Sequence, residues 1–289
     1  MSETQTREGA SAEAIRHHYD LSNDFYGLWL DRSLTYSCAL WDGDDDTLER
    51  AQLRKLDYVT EQARAAGTER VLDVGCGWGS LMRRLVDHHG VGHVVGLTLS
   101  DAQAGFIGAQ DDPRLEVLRE GWADHEPDEP YDAILSIGAM EHFVRFGLPR
   151  AQRVAVYRDF FDRCHRWLRP GGWMGLQAIG KGNRPLDEET AADLIFLTQT
   201  IFPESDSPRL AEVAHAAEKR FEVVRVRNDR PHYARTCREW AKRLAANRDA
   251  AVELVGEQAV DVYERYLRVA VRQFERNQTV LYRFTLQRV

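Results

Sequence analysis

The sequence predicts an α/β fold, one domain on a mainly parallel seven-stranded sheet with helices on both faces, an N-terminal helical lid and helical insertions near the C-terminus. Three observations predict it. From residue 71 onward, short β-forming runs alternate with stretches of helical periodicity, the pattern of parallel strands joined by crossover helices. The first such strand runs into a glycine-rich turn, Gly75-Cys76-Gly77-Trp78-Gly79. After residue 179 the alternation breaks into long helical stretches closed by one late strand.

Residues 1–10 are small and polar with no apolar periodicity, so they are expected to be disordered until something docks on them. The segment 12–41 is dense in aromatics, Tyr19, Phe25, Tyr26, Trp29, Tyr36 and Trp41, and reads as helical and core-facing. Thr47 is placed to cap a helix reaching residue 65, which completes the lid over residues 11–65.

Strands are expected at 71–74, 93–97, 115–120, 131–137, 173–179, 221–226 and 280–286, with helices at 80–88, from 100, and at 153–168. Arg169-Pro170-Gly171-Gly172 reads as a tight turn. Residues 183–217 and 234–276 are read as helical, substrate-side segments. The first holds an apolar patch, Ile195, Phe196, Leu197, Ile201 and Phe202, that could cap a pocket. After so long an excursion the last strand can enter antiparallel.

The glycine turn is a cofactor cradle. Gly75, Gly77 and Gly79 permit positive φ and remove the Cβ atoms that would keep a ligand off the backbone, and the helix beginning at Ser80 presents free N–H groups. Nicotinamide, flavin and S-adenosylmethionine folds all use such a turn. Dinucleotide folds want G-x-G-x-x-G and an acid after the next strand. This chain has G-x-G-x-G with Asp73 ahead of it, and Thr98-Leu99-Ser100 where the acid would stand. An acid before the glycines suits a cationic, amino-acid-bearing ligand such as S-adenosylmethionine.

Composition narrows the class. At 289 residues the chain buries a sizeable core, and a net charge of -8 argues against a nucleic-acid backbone binder. Cys38, Cys76, Cys164 and Cys237 show neither disulfide nor metal-ligand spacing, so no metal is expected and a reducing cytoplasm fits. The run 42–46 reads as a solvated acidic loop. No apolar stretch approaches the ~20 residues of a membrane span, and the first fifteen residues do not read as a signal.

Several motifs together resemble the cyclopropane-fatty-acid and mycolic-acid cyclopropane synthases, a family of S-adenosylmethionine-dependent methyltransferases. They are His18-Tyr19-Asp20-Leu21-Ser22, Thr35-Tyr36-Ser37-Cys38, residues 72–79, Gly96-Leu97-Thr98-Leu99-Ser100 with Gln103, Gly121-Trp122, Ser136-Ile137-Gly138-Ala139 with Glu141-His142-Phe143, and Pro231-His232-Tyr233. The resemblance runs from about residue 15 to the C-terminus and implies a class I, Rossmann-like methyltransferase fold. It implies that Tyr36 and Ser37 close over the cofactor and that Asp73, Gly75, Cys76 and Gly77 hold its amino-acid end. Thr98, Leu99 and Gln103 would lie by the ribose and adenine, with Gly121, Trp122 and Ala123 along the base.

The resemblance also implies a bicarbonate ion beside the transferred methyl, at residues matching Cys38, Ile137, Glu141 and Tyr233. Here the chain departs from the family: Gln177 stands where the family has a histidine. An amide donates a hydrogen bond but carries no proton near neutral pH, which argues against the bicarbonate site and its proton relay.

The chemistry expected is transfer of the sulfonium methyl to an alkene or electron-rich carbon of a lipophilic or natural-product acceptor, with cyclopropane closure or C-methylation after proton loss. Glu141 is the candidate base, His142 the next, with Cys38 as pocket lining; Tyr19, Phe25, Tyr36 and Phe143 offer π faces to a cation. Gln177 and the short segment at 111–113 tilt the acceptor toward a smaller molecule. A small-molecule N-methyltransferase and a non-catalytic S-adenosylmethionine-binding protein stand as alternatives. The oligomeric state is not encoded in any motif.

Overall fold

The computed structural model describes residues 9–11 and 22–289. Expectations for residues 1–8 and 12–21, Tyr19 among them, lie outside the described residues.

A seven-stranded sheet forms the centre, in the order β3-β2-β1-β4-β5-β7-β6. Its strands are β1 (Arg70–Val74), β2 (His93–Leu97), β3 (Leu115–Leu118), β4 (Tyr131–Ile137), β5 (Leu168–Lys181), β6 (Phe221–Asn228) and β7 (Thr279–Arg288). β1 pairs in parallel with β2 and β4, and β4 with β5, while β7 inserts antiparallel between β5 and β6. Strand order reverses between β1 and β4, so the crevice beyond their carboxyl ends is where a ligand belongs.

The helices among the described residues are α1 (Asn23–Gly27), α2 (Leu48–Gln62), α3 (Ser80–His88), α4 (Asp101–Gly108), α5 (Arg150–Trp167), α6 (Glu188–Phe196), α7 (Leu210–Ala217), α8 (Arg230–Ala246), α9 (Arg248–Val255) and α10 (Glu257–Glu275). α3 shows why the alternation was readable. Leu81, Met82, Leu85 and Val86 recur on one face and are all buried, and Gly79 caps the helix at φ 78° in the left-handed region. α2 begins at the expected cap, where the Thr47 side chain accepts from Arg50 N–H.

Several local expectations are corrected. Among the described residues of 12–41 only Asn23–Gly27 is helical. The Asp31 carboxylate accepts from the Ser33 and Thr35 N–H groups and Leu34 takes φ 56°, so the backbone turns there and runs on irregularly to Thr47. Residues 9–11 lie against the turn after β4: Ala10 N–H donates to the His142 carbonyl at 2.9 Å and Arg145 donates to the Gly9 carbonyl at 2.8 Å.

β5 begins five residues early. Tyr131 pairs with Leu168 and Ala133 with Trp173, so the Arg169–Gly172 turn is a bulge inside the strand. β3 ends two residues early, and α8 begins at Arg230 with Pro231 in its first turn, where the missing N–H costs no hydrogen bond. Asp46 is not a solvated loop residue: it binds Arg50 and Arg54 and accepts from the Asp42 N–H.

Apolar clusters cover both faces of the sheet. A third cluster lies outside it, where Phe25, Tyr26 and Trp29 pack on Trp240 and Tyr263 of α8 and α10, and the Tyr26 and Tyr263 hydroxyls meet at 2.8 Å. This aromatic layer fixes residues 34–38 against the body of the protein. No helix among the described residues is long and apolar enough to cross a membrane.

Candidate functional site

A cavity of about 970 Å³ opens at the strand-order reversal and extends under the C-terminal helices. β1 delivers Asp73 and the glycine turn to it. Gly75, Gly77 and Gly79 have φ of 81°, 56° and 78°, and the Gly75 and Cys76 N–H groups both bond the Leu97 carbonyl at 3.0 Å. A Cβ on Gly75 would collide with Ala139 at 2.7 Å, whereas a Cβ on Gly77 would meet nothing within 4 Å. Gly77 therefore offers bare backbone to the cavity, the arrangement a close-lying cofactor requires.

Thr98 and Leu99 follow directly on β2, and α4 adds Gln103; all three line the cavity. Thr98 Oγ1 donates to Gln103 Oε1 at 2.7 Å, so Gln103 is a buried wall residue and not a solvent-facing one. Gly121, Trp122 and Ala123 form the next edge, with the Trp122 ring braced on Phe143 and Phe160 at centroid distances of 5.0 and 5.4 Å. Tyr36 and Ser37 close the opposite side. Tyr36 Oη donates to Tyr266 Oη at 3.0 Å, and burial holds its hydroxyl far above the usual tyrosine range.

β4 ends in Ile137, followed by a 3₁₀ turn, Met140–His142, that carries the acid–base candidates. Glu141 lines the cavity; its Oε1 accepts from Ile179 N–H at 2.6 Å, and its Oε2 is buried with no hydrogen-bond partner among the described residues. Burial pushes this carboxyl up to about 7, against the pull of the Ile179 amide. His142 meets Ser205 Oγ at 2.7 Å, and burial lowers it to about 4, so it is neutral at physiological pH. Tyr233 stacks on Phe274 at 4.4 Å and also faces the cavity, with burial raising its phenol well above the ordinary range.

The sequence placed Cys38 in the lining, and the structure does not. Cys38 is fully buried behind Ser37, its thiol bonds the Ala39 carbonyl, and burial pushes it up to about 12. The strap turns the Ser37 side chain toward Lys55 and leaves Cys38 facing Arg283, whose guanidinium bonds the Cys38 carbonyl at 3.1 Å. Phe25 likewise sits in the aromatic layer and not on the cavity, whereas Tyr36 and Phe143 line it. Of the apolar patch, Leu197 and Phe202 reach the cavity, Ile201 is core and Ile195 points to solvent.

Gln177 is on the cavity wall with its Oε1 held by Arg283 Nε at 2.8 Å. Arg283 also pairs with Asp229, and both are almost wholly buried. Sequence reasoning missed Arg283, Asp229 and Lys55. Lys55 had a signal: it falls within the buried stripe Ala51, Gln52, Leu56 and Val59 of α2, where a lysine has no reason to be unless it meets something polar. Asp73, at the end of β1, is pushed up to about 7 by burial, with the Lys55 charge opposing.

A doubly wound sheet, a glycine cradle preceded by a buried acid, and polar side chains along the β2 edge define the class I S-adenosylmethionine-dependent methyltransferases. The comparisons narrow this to one family. The chain matches the Mycolic acid cyclopropane synthetase family model over residues 6–284, and it belongs to that family. Cyclopropane mycolic acid synthase 3 of Mycobacterium tuberculosis is 38% identical over 288 residues, spanning 95% of this chain and 96% of that one. Two solved structures superpose over 96% of this chain and 99% of theirs at 35% identity: the cyclopropane synthase MmaA2 from Mycobacterium tuberculosis (TM-score 0.88) and mycolic acid cyclopropane synthase CmaA1 complexed with SAH and CTAB (TM-score 0.86). The protein is thus an S-adenosylmethionine-dependent methyltransferase, and the reading as a non-catalytic binder is set aside. The open Gly77 backbone and the buried Asp73 fit the cofactor.

Proposed function

We propose that this enzyme methylates an alkene or electron-rich carbon of a lipophilic acceptor and that Glu141 removes the proton released afterwards. The observation that carries the reading is Glu141 Oε2, a buried carboxyl oxygen without a partner among the described residues, on the wall of a largely apolar cavity. Such an oxygen is costly to keep in a fold unless a reacting group uses it.

Bound S-adenosylmethionine supplies an electrophilic methyl. The protein's part is alignment and exclusion of water. Asp73 and the glycine turn would hold the amino-acid end, Thr98 and Gln103 the ribose, and Trp122 the base. Tyr36, Phe143 and Phe202 surround the remaining space with π faces, each worth about 0.5–2 kcal/mol to a carbocation formed on the acceptor. Glu141 Oε2 then accepts a proton. Taken from the new methyl, it closes a cyclopropane; taken from a neighbouring carbon, it leaves a methylated alkene.

Gln177 Nε2 and the Tyr233 hydroxyl could each donate to a bicarbonate oxygen, but the amide at 177 carries no proton to pass on near pH 7. Glu141, poised at about 7, can take it directly. The CTAB ligand of the CmaA1 structure supports a lipophilic acceptor.

The test is turnover with methyl-deuterated S-adenosylmethionine and unsaturated acyl or terpenoid acceptors, read by mass spectrometry. A product that has lost one deuterium is a cyclopropane, and one that keeps the full label is C-methylated. Methylation of amines alone would overturn the reading.

A further inference from the structure

Two buried groups of opposite charge face the same cavity without pairing. Lys55 and Asp73 are 1% and 2% exposed, both line the cavity, and neither makes an ion pair with any described residue. Lys55 Nζ has one hydrogen bond, to Ser37 Oγ at 2.9 Å, so its other N–H donors are available to the cavity. The Asp73 carboxylate accepts no hydrogen bond from any described residue. A buried ammonium and a buried carboxylate, each unpaired, are expensive to maintain in an empty fold.

The two are held apart by the architecture. Asp73 is fixed in β1, in register with Gly96 and Leu135. Lys55 is fixed in α2, one turn from Gln52, whose Nε2 clamps the Thr35 and Ser37 carbonyls at 3.2 and 2.8 Å. The strap, the helix and the strand end therefore present a buried amine and a buried carboxyl group to one space, each able to take its full charge when a ligand brings the opposite one. A ligand that satisfies both carries an anion and a cation, as an α-amino acid does.

We propose that Lys55 is a cofactor-binding residue that takes the α-carboxylate of the amino-acid end, opposite Asp73, which takes the α-ammonium. The proposal rests on S-adenosylmethionine as cofactor. It gives the amino-acid end a charged anchor on α2, outside the glycine turn, and ties the Tyr36–Ser37 strap to cofactor binding through the Ser37 hydroxyl. Burial lowers the Lys55 ammonium to about 7, and the Arg283 charge adds to this; a carboxylate beside it would restore its full charge.

The experiment is calorimetric binding of three ligands: S-adenosylhomocysteine, its decarboxylated analogue, and 5′-methylthioadenosine, which lacks the amino acid. Wild-type protein is expected to bind the decarboxylated analogue about 10- to 100-fold more weakly than S-adenosylhomocysteine, the range for a charge-assisted contact. Lys55→Met should lower S-adenosylhomocysteine affinity by a similar factor and leave 5′-methylthioadenosine unchanged. Equal weakening of both ligands would mean that Lys55 only braces Ser37, and would overturn the proposal. So would equal affinity of wild type for the first two ligands, a comparison that needs no variant. Wild type binding none of the three would instead refute the cofactor assignment.

Discussion

Arg283 and Gln177 are register partners on β7 and β5, and the Arg283 Nε–H donates to Gln177 Oε1 at 2.8 Å. The bond occupies the amide oxygen and leaves Nε2 to meet a ligand. The same guanidinium pairs with Asp229 and donates to the Cys38 carbonyl, so one buried cation ties the strap, the start of α8 and the cavity wall together. A histidine at position 177 would stand beside that guanidinium and be disfavoured in its charged form.

Arg283→Met should be strongly destabilising. It leaves Asp229 buried and unpaired, a loss of about 3–5 kcal/mol for one partner of a buried pair. Urea denaturation reads the effect directly; a loss under about 1 kcal/mol would show that Asp229 is neutralised in another way.

Glu141→Gln should lower kcat by about 10²–10⁴, the usual contribution of a positioned base, and leave S-adenosylhomocysteine affinity intact. In the wild type, kcat at saturating cofactor should rise with pH through about 7, because the carboxyl must be ionised to accept a proton and burial holds it near 7. His142 cannot produce that limb, since its ring is already neutral above about 4. A pH profile in Glu141→Gln that keeps the same limb would move the base elsewhere.

Gly77→Val should abolish cofactor binding while the protein still folds. No protein atom lies within 4 Å of the position a Cβ would take, so the new side chain enters cavity space, with a strain of about 1–2 kcal/mol from the positive φ of 56°. Thermal unfolding with and without S-adenosylhomocysteine checks both parts: a modest drop in Tm and no ligand-induced rise. A retained rise would displace the cofactor from this turn.

Removing bicarbonate by dialysis under argon should leave turnover unchanged if, as proposed, Glu141 takes the proton that Gln177 cannot pass on. A large, reversible loss of rate, restored by added bicarbonate, would require a proton path that Gln177 does not supply.

Much of the fold was legible because its signals are local. Strand β1, the glycine turn and α3 follow from β-branched residues, positive-φ glycines and a four-residue apolar recurrence, all within residues 70–88. The alternation that follows predicts a parallel sheet without knowledge of any contact. The segment before Thr47 misled because aromatic density marks burial and not helix. Asp31, which turns that backbone, acts through a local hydrogen-bond pattern that periodicity does not register.

The site divides in the same way. The sequence by itself singled out the glycine turn, Thr98, Gln103, Trp122, Glu141 and the unusual amide at 177, all of which line the cavity, since each lies at a strand end or in a short motif. Only the tertiary structure decided which atoms of these groups are satisfied. Glu141 Oε1 meets a backbone amide 38 residues away, Gln177 meets an arginine 106 residues away, and Cys38 is turned from the cavity by a guanidinium 245 residues away. Hydrogen bonds between distant segments exist only once the chain has folded, and in a buried site it is they that fix which oxygen can act and where a lone charge is left for a ligand.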